Sequence, residues 1–194
     1  MNAPLEKPII YLISRGDADP VNFYLKKKEI LKKISVAVEV GISLVQIREK
    51  NLTVKLLFDL TEEAAAITRN SDTKLLVNGR ADVALAARAD GVHLPADGLS
   101  AETIRRSFPP GFLIGVSTHS AEEASAAKSE GADFVTFGPV FESPNKGEPQ
   151  GLERLNNVCK LLAQFPVIAL GGIDESNYRD ALKMEPVASP RSDF

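Results

Sequence analysis

Residues 130–138 read EGADFVTFG, a glycine turn that leads at once into a short run rich in apolar residues. Related junctions occur at 40–44 (VGISL) and 88–92 (RADGV). Glycine after a helix permits a left-handed cap, so each junction predicts a helix that ends directly before a strand. A helix-to-strand junction that recurs along the chain indicates repeated βα units.

Seven short runs have the composition of strands, and several are apolar almost throughout. Strands of that kind are covered on both faces, which favours a parallel sheet over an antiparallel sandwich. The predicted strands are 9–13, 44–47, 74–77, 91–94, 112–116, 134–137 and 167–170. Stretches with helical spacing lie between them, at 27–40, 54–69, 81–89, 100–107, 121–130, 151–164 and 176–183. This alternation predicts an α/β fold, a TIM (β/α)8 barrel in one domain over 1–194, with a doubly wound open sheet as the structural alternative.

The C-terminus is expected to leave that barrel incomplete. A barrel needs an eighth strand and helix, but residues 185–194 read EPVASPRSDF. Proline cannot donate to a strand ladder, so this segment is a poor central strand. The barrel either closes with a stub around Val187 and Ala188 or stays open between its first and seventh strands. An open edge predicts reduced stability or a partner that covers it, such as another copy of the chain.

Composition narrows the classes of function. The net charge of -3 provides no broad positive field, so a nucleic-acid partner is not expected. No segment approaches the roughly 20 apolar residues of a membrane span. The single cysteine, Cys159, lies in an apolar-periodic stretch, which predicts a buried side chain and fits a reducing cytoplasm.

Polar residues follow several of the predicted strands. Alternation along the second strand puts Gln46, Arg48 and Lys50 on one side, where two cations could hold a diphosphate or simply form a solvated strand end. Asn78 ends the third strand and has an amide that can donate and accept. In a barrel, such side chains gather at the mouth formed by the C-terminal ends of the strands.

The later strand ends add further candidates. Ser117 follows the fifth strand, and His119 beside it is either a general acid or base or a helix-cap residue. We interpret His93, after the fourth strand, as structural. A long loop carries Lys146, and the paired glycines 171–172 precede a helix, where backbone amides can approach a phosphate.

Taken in order, these segments resemble thiamine phosphate synthases and their relatives, the thiazole tautomerases, and are most similar to the synthases. The matching segments are 46–50, 78–80, 91–94, 115–119, 131–146 and 169–173. The resemblance implies that hydroxymethylpyrimidine diphosphate and thiazole phosphate are joined to thiamine phosphate with release of diphosphate. It also implies a pyrimidine diphosphate site, a reacting centre near Ser117, and a thiazole phosphate site. The residues implied for the pyrimidine diphosphate site are Gln46, Arg48, Lys50, Asn78 and Lys146. Those implied for the thiazole phosphate site are Ser143, Asn145 and Gly172.

Two departures concern the cofactor. The resemblance implies Mg²⁺ held by two aspartates, but Gly79 and Gly98 stand at those positions, and Asp97 lies one residue away. We therefore assign no metal ligand, and Mg²⁺ rests on the resemblance alone. Two other functions stay open: a thiazole tautomerase that uses His119 as acid and base, and a non-catalytic protein that binds a phosphorylated ligand.

Overall fold

Strands and helices alternate along the whole described part of the chain. The computed structural model describes residues 9–143 and 147–184. Within those ranges the elements are β1 (Tyr11–Ile13), α1 (Phe23–Glu39), β2 (Leu44–Ile47), α2 (Val54–Thr68), β3 (Lys74–Asn78), α3 (Ala81–Ala86), β4 (Gly91–Leu94), α4 (Ala101–Ser107), β5 (Leu113–Thr118), α5 (Ala121–Ser129), β6 (Phe134–Phe137), α6 (Gly151–Leu162), β7 (Val167–Ala169) and α7 (Tyr178–Leu182). Each predicted strand and helix is therefore present, with its ends shifted by up to four residues.

The seven strands form one parallel sheet in chain order, from β1 to β7. A doubly wound sheet would reverse its strand order at a switch point, so that alternative is wrong. Among the described residues, β1 and β7 pair on one side only. Over the described residues the fold is thus a nearly closed TIM-like barrel of seven strands without an eighth, as predicted. The stub expected around Val187 and Ala188 lies outside the described residues.

Two apolar layers hold the barrel. One lies between the strands and the helices, where Val45 and Ile47 of β2 pack. The other fills the interior, where Phe134 and Leu76 pack with Tyr11. Because side chains alternate along a strand, the inward positions that follow these apolar residues carry polar groups near the C-terminal ends. The interior is therefore apolar toward the N-terminal ends of the strands and polar toward their C-terminal ends.

Two helix starts differ from the prediction because nearby side chains form turns. Asp19 accepts hydrogen bonds from the backbone N–H groups of Val21 and Asn22, and α1 begins directly afterwards, earlier than predicted. Asp174 accepts from the N–H and hydroxyl of Ser176, so that segment is a turn and α7 begins later. Short polar side chains often compete in this way with helix formation.

The open side of the barrel contains an apolar cavity of about 530 Å³ between β1 and the β7–α7 region. Ile10 and Leu182, on opposite sides of it, are 53% and 44% exposed. Cys159 also lines the cavity and is buried, as predicted. Within the described ranges, no helix is long and apolar enough to cross a membrane.

Candidate active site

A second cavity, of about 400 Å³, lies at the C-terminal ends of the strands. It is smaller than the cavity at the open edge, but more of the residues that line it are polar. Residues of six consecutive strands, β1 to β6, and of the turns at the strand ends line it. They include the predicted residues Gln46, Arg48, Lys50, Asn78, Ser117 and His119. Residues that are distant in sequence therefore meet in one pocket, where parallel barrels place their active sites.

Two cations of this pocket have no carboxylate partner in the part of the chain that the structure describes. Among the described residues, no carboxylate pairs with Arg48 or Lys50. Arg80, at the end of the next strand, is instead held by both oxygens of Asp82, at 2.8 and 2.6 Å. This pairing lowers the pKa of the Asp82 carboxyl. Arg48 and Lys50 thus remain available for an anionic ligand, whereas Arg80 is already neutralised.

Gln46 and Asn78 hold each other in a fixed orientation. The Gln46 side chain is 1% exposed, and its Nε2 donates to Oδ1 of Asn78 at 3.0 Å. Because Oδ1 is the acceptor of this bond, the Asn78 amide nitrogen has hydrogens left to donate. No other described residue takes them. Asn78 is thereby set as a donor beside the two cations.

Glu49 fixes the turn after β1 beside the pocket, a role that we did not predict from the sequence. It is 3% exposed, and its carboxylate accepts from the N–H groups of Gly16 at 3.1 Å and Ala18 at 2.8 Å. The Ser14 hydroxyl accepts from the backbone N–H of Arg48 at 2.8 Å. The turn after β1 is thus tied to the residues around Arg48. Glu49 continues the alternation of Val45 and Ile47 on the side that faces the helices. A carboxylate buried there needs hydrogen-bond partners, so the alternation in the sequence could have indicated this role.

We expect Glu49→Gln to lower the free energy of unfolding by about 2 kcal/mol, because bonds from N–H groups to a buried charged acceptor are worth roughly 1.5–3 kcal/mol. An amide has one accepting atom and would turn its own hydrogens toward a donor. Urea unfolding would measure the change. Glu63→Gln is the control, since Glu63 makes an exposed ion pair with Lys27. Equal unfolding midpoints for the two variants would contradict the role given to Glu49.

His93 is buried in the cavity wall beside Ser117. Its Nε2 lies 2.9 Å from the Ser117 hydroxyl oxygen. Burial, with a smaller contribution from the Arg48 charge, lowers the pKa of His93 to about 4, so the imidazole is neutral at neutral pH. Neither its Nδ1 nor the buried Tyr11 hydroxyl has a hydrogen-bond partner among the described residues. The sequence analysis treated His93 as structural, but the structure brings it into contact with a predicted site residue.

His119 lies both at the start of α5 and in the pocket, and its role as acid and base stays a prediction. Its backbone N–H donates to Glu123 at 2.7 Å, at the start of α5, and its ring lines the rim of the pocket. The ring Nδ1 contacts the Gly138 carbonyl oxygen, which can only accept, so Nδ1 carries a hydrogen. Nε2 is then the ring nitrogen that is left to contact a ligand in the pocket.

Neither of the two predicted thiazole phosphate residues that the structure describes, Ser143 and Gly172, lines this pocket. Gly171 lines the pocket, whereas Gly172 lines the neighbouring cavity and Ser143 lines neither. Gly172 has a φ of +67°, and an added Cβ would lie 2.3 Å from the Glu142 carbonyl oxygen, so only glycine fits there. Asn145 and Lys146 lie outside the described residues.

The residues present do not form a metal site by themselves. No cluster of three histidine, cysteine, aspartate or glutamate side chains occurs in ranges 9–143 and 147–184. Asp97 is the carboxylate that lines the pocket, and the Asn78 carbonyl oxygen is already bonded to Gln46. Mg²⁺ prefers six oxygen ligands at near-octahedral angles. One carboxylate is too little for a preformed Mg²⁺ site.

Comparison with known proteins agrees with this geometry. Residues 10–187 match the model of the family described as thiamine monophosphate synthase. The thiamine-phosphate synthase of Persephonella marina is 38% identical over 82% of this chain and 77% of its own. That of Caldanaerobacter subterraneus subsp. tengcongensis is 34% identical over 79% and 72%.

A solved structure shows the same likeness. Thiamine phosphate pyrophosphorylase from Pyrococcus furiosus superposes with a TM-score of 0.77 at 31% identity, covering 91% of this chain and 81% of that one. The match in sequence and fold covers most of the chain, and the chain therefore belongs to the thiamine monophosphate synthase family.

Proposed function

We propose that this protein is a transferase of thiamine biosynthesis that joins hydroxymethylpyrimidine diphosphate to thiazole phosphate, giving thiamine phosphate and diphosphate. Family membership supports the reaction, and one observation of the pocket carries it. Arg48 and Lys50 line a cavity at the strand ends without a carboxylate partner among the described residues. A pocket with two uncompensated cations is suited to an anion as highly charged as a diphosphate.

The reaction separates charge before it forms a bond. The bond between the pyrimidine methylene carbon and the diphosphate oxygen breaks, and diphosphate leaves with the electron pair. The electron-rich pyrimidine carries the positive charge on its methylene, and the ring nitrogen of the thiazole then supplies the electron pair for the new carbon–nitrogen bond. Cations fixed at the departing oxygens stabilise this charge separation more than they stabilise the bound substrate.

We give each part of the pocket a role in these reaction steps. We assign Arg48 and Lys50 to the departing diphosphate, and the Gln46–Asn78 pair to orienting the pyrimidine substrate. Ser117, which also lines the pocket, would lie near the reacting carbon. Lys146 would add a third cation from the loop after β6, and Ser143, Asn145 and Gly172 would hold the thiazole phosphate. These four assignments rest on the family motif.

The decisive experiment is direct. The purified protein is incubated with both phosphorylated halves and Mg²⁺, and thiamine phosphate is measured by chromatography together with released diphosphate. Formation of both products in equal amounts is the expected result. Binding of the pyrimidine diphosphate without any product would support the non-catalytic alternative instead.

A thiazole tautomerase is the second candidate, and the geometry of His119 favours it. With Nδ1 bonded to the Gly138 carbonyl, Nε2 can exchange a proton with a ligand in the pocket. Such an enzyme would not need Arg48 and Lys50, the two cations that follow β2. The two functions differ in one variant: His119→Gln should abolish tautomerisation and leave thiamine phosphate synthesis largely intact.

For the metal, we propose that any Mg²⁺ is held mainly by the substrate's own diphosphate, with Asp97 as the nearby carboxylate. We expect Gly79→Asp to lower the Mg²⁺ concentration needed for half-maximal turnover several-fold, because a second carboxylate would face the pocket. The side chain fits, since an added Cβ at Gly79 comes no closer than 3.7 Å to Pro95, although the φ of +64° costs about 1 kcal/mol. Turnover measured against Mg²⁺ concentration tests this.

Gly98→Asp is the matched comparison at the other position. An added Cβ there meets Pro95 atoms at 3.0–3.1 Å, so Pro95 would have to shift and the carboxylate would be displaced. A Gly79→Asp variant with an unchanged Mg²⁺ requirement would refute the view that a missing carboxylate sets that requirement.

We further propose that the protein works in the cytoplasm and that its open edge pairs with another copy of the chain. Its substrates would be small phosphorylated molecules. The buried Cys159 and the exposed apolar residues Ile10 and Leu182 beside β1 and β7 support these proposals. Sedimentation velocity over a range of concentrations tests the association, and a monomer at all concentrations would refute it.

A further inference from the structure

His93 is a buried polar residue of the pocket that the proposed mechanism does not use. It lies on β4, is 3% exposed, and packs against the rings of Tyr11 and Phe134, with centroid distances of 5.6 and 6.0 Å. The only hydrogen-bond partner of its ring among the described residues is the Ser117 hydroxyl, at 2.9 Å from Nε2. The imidazole is thus held in place by aromatic packing and has one polar contact.

That contact has two forms, which differ in the position of one hydrogen. If Nδ1 carries it, the Ser117 hydroxyl donates to Nε2 and its hydrogen is used up. If Nε2 carries it, Nε2 donates to the Ser117 oxygen and the hydroxyl hydrogen is free. The second form leaves an unfilled lone pair at the buried Nδ1, whereas the first leaves an N–H without an acceptor. Buried N–H groups without a partner are the rarer case in proteins, so the Nε2–H form is favoured.

The choice is between two neutral forms of the ring. Burial of the ring and, to a smaller extent, the Arg48 guanidinium lower the pKa of His93 to about 4 and so oppose a second proton. The ring therefore stays neutral, with one hydrogen to place.

We propose that His93 is a positioning residue: its Nε2–H donates to the Ser117 oxygen and so turns the Ser117 hydroxyl hydrogen toward an acceptor atom of the bound pyrimidine diphosphate. This inference rests on the proposed function of the pocket and adds a residue to it. Ser117 lines the cavity and has no other hydrogen-bond partner among the described residues, so its hydroxyl can turn toward a ligand. A donor fixed in this direction gains strength as the diphosphate takes on negative charge, and the effect falls on kcat.

A double-mutant cycle tests the proposal. His93→Leu removes the donor at similar size, and we expect kcat to fall roughly 10–100-fold, the usual effect of losing a group that orients a reacting residue. The KM for thiazole phosphate should stay unchanged. His93→Gln places an amide nitrogen near the Nε2 position and should recover much of the loss. In a Ser117→Ala background, His93→Leu should cause no further loss.

Other outcomes of the cycle overturn the proposal. These are equal losses with and without Ser117, a His93→Gln variant as impaired as His93→Leu, or no loss at all. Urea unfolding of every variant shows whether an activity loss merely reflects a destabilised fold.

Nuclear magnetic resonance gives an answer that does not depend on turnover. The chain has two histidines, so His119→Gln assigns both sets of ring nitrogen signals. We expect a neutral His93 ring at pH 7 with hydrogen on Nε2 and a bare Nδ1, and an altered Nε2 shift in Ser117→Ala. Hydrogen on Nδ1 would overturn the proposal even in an active enzyme. An inactive wild-type protein with the expected tautomer would instead count against the proposed function and leave the His93–Ser117 geometry standing.

Discussion

Arg48→Ala is expected to lower kcat for thiamine phosphate formation by about 10²–10³-fold, the range found when one preorganised donor to a developing negative charge is removed. Arg48 lines the pocket without a carboxylate partner among the described residues, so its charge is available to the leaving diphosphate. Because that charge grows as the bond breaks, the loss falls on kcat. The KM for thiazole phosphate should change little, since the thiazole phosphate residues lie after other strands.

Steady-state kinetics with each substrate varied in turn measure the two effects separately. Arg80→Ala is the matched control: it removes a guanidinium from the end of the neighbouring strand, but one that Asp82 already holds through two bonds. Arg48→Lys should recover part of the activity, because it keeps the charge and loses the two-pronged geometry. Unchanged turnover in Arg48→Ala would exclude the diphosphate role.

Gly115→Ala should lower the free energy of unfolding by about 3 kcal/mol, at the upper end of the usual cost of overpacking. A Cβ on Gly115 would lie 2.2 Å from the tip of the Phe134 ring, which is fully buried in the barrel interior. The ring cannot swing away freely, because it packs against Tyr11 and His93. A destabilisation of that size corresponds to a melting temperature lower by roughly 6–12 °C for a protein of this length.

Differential scanning calorimetry and urea unfolding measure this change. Gly147→Ala is the control, since an added Cβ there meets nothing within 4 Å and its backbone needs no left-handed conformation. Because Phe134 lies under His93, a displaced ring should also lower turnover in the Gly115 variant. A Gly115→Ala protein as stable as Gly147→Ala would mean that the interior is packed loosely enough to absorb a methyl group.

Much of this protein could be predicted from local sequence. The apolar runs and the glycine junctions are sufficient to predict the seven parallel βα units of the described residues, because burial on both faces and left-handed caps are local requirements. Gln46, Arg48 and Lys50 were correctly placed on one side of a strand, since alternation is a geometric property of any strand.

Other features depend on contacts that the local sequence does not show. The Arg80–Asp82 pair is local, but nothing near Arg48 shows that Glu49, its neighbour, binds the turn after β1 and leaves Arg48 without a carboxylate among the described residues. The role of Glu49 depends on partners at least 31 positions away in the sequence. The role of His93 depends on Ser117, 24 positions away. Such pairings are decided by how β1 lies beside β2 and β4 beside β5, and these distances appear only after folding.

The sequence by itself determined the order of elements, the barrel class and the strand ends that carry chemistry, because side-chain burial and backbone caps act over a few residues. Tertiary structure alone decided which of those side chains are paired, oriented or left available. Charge pairing and hydrogen bonding depend on distances of a few ångströms between strands that are far apart along the chain.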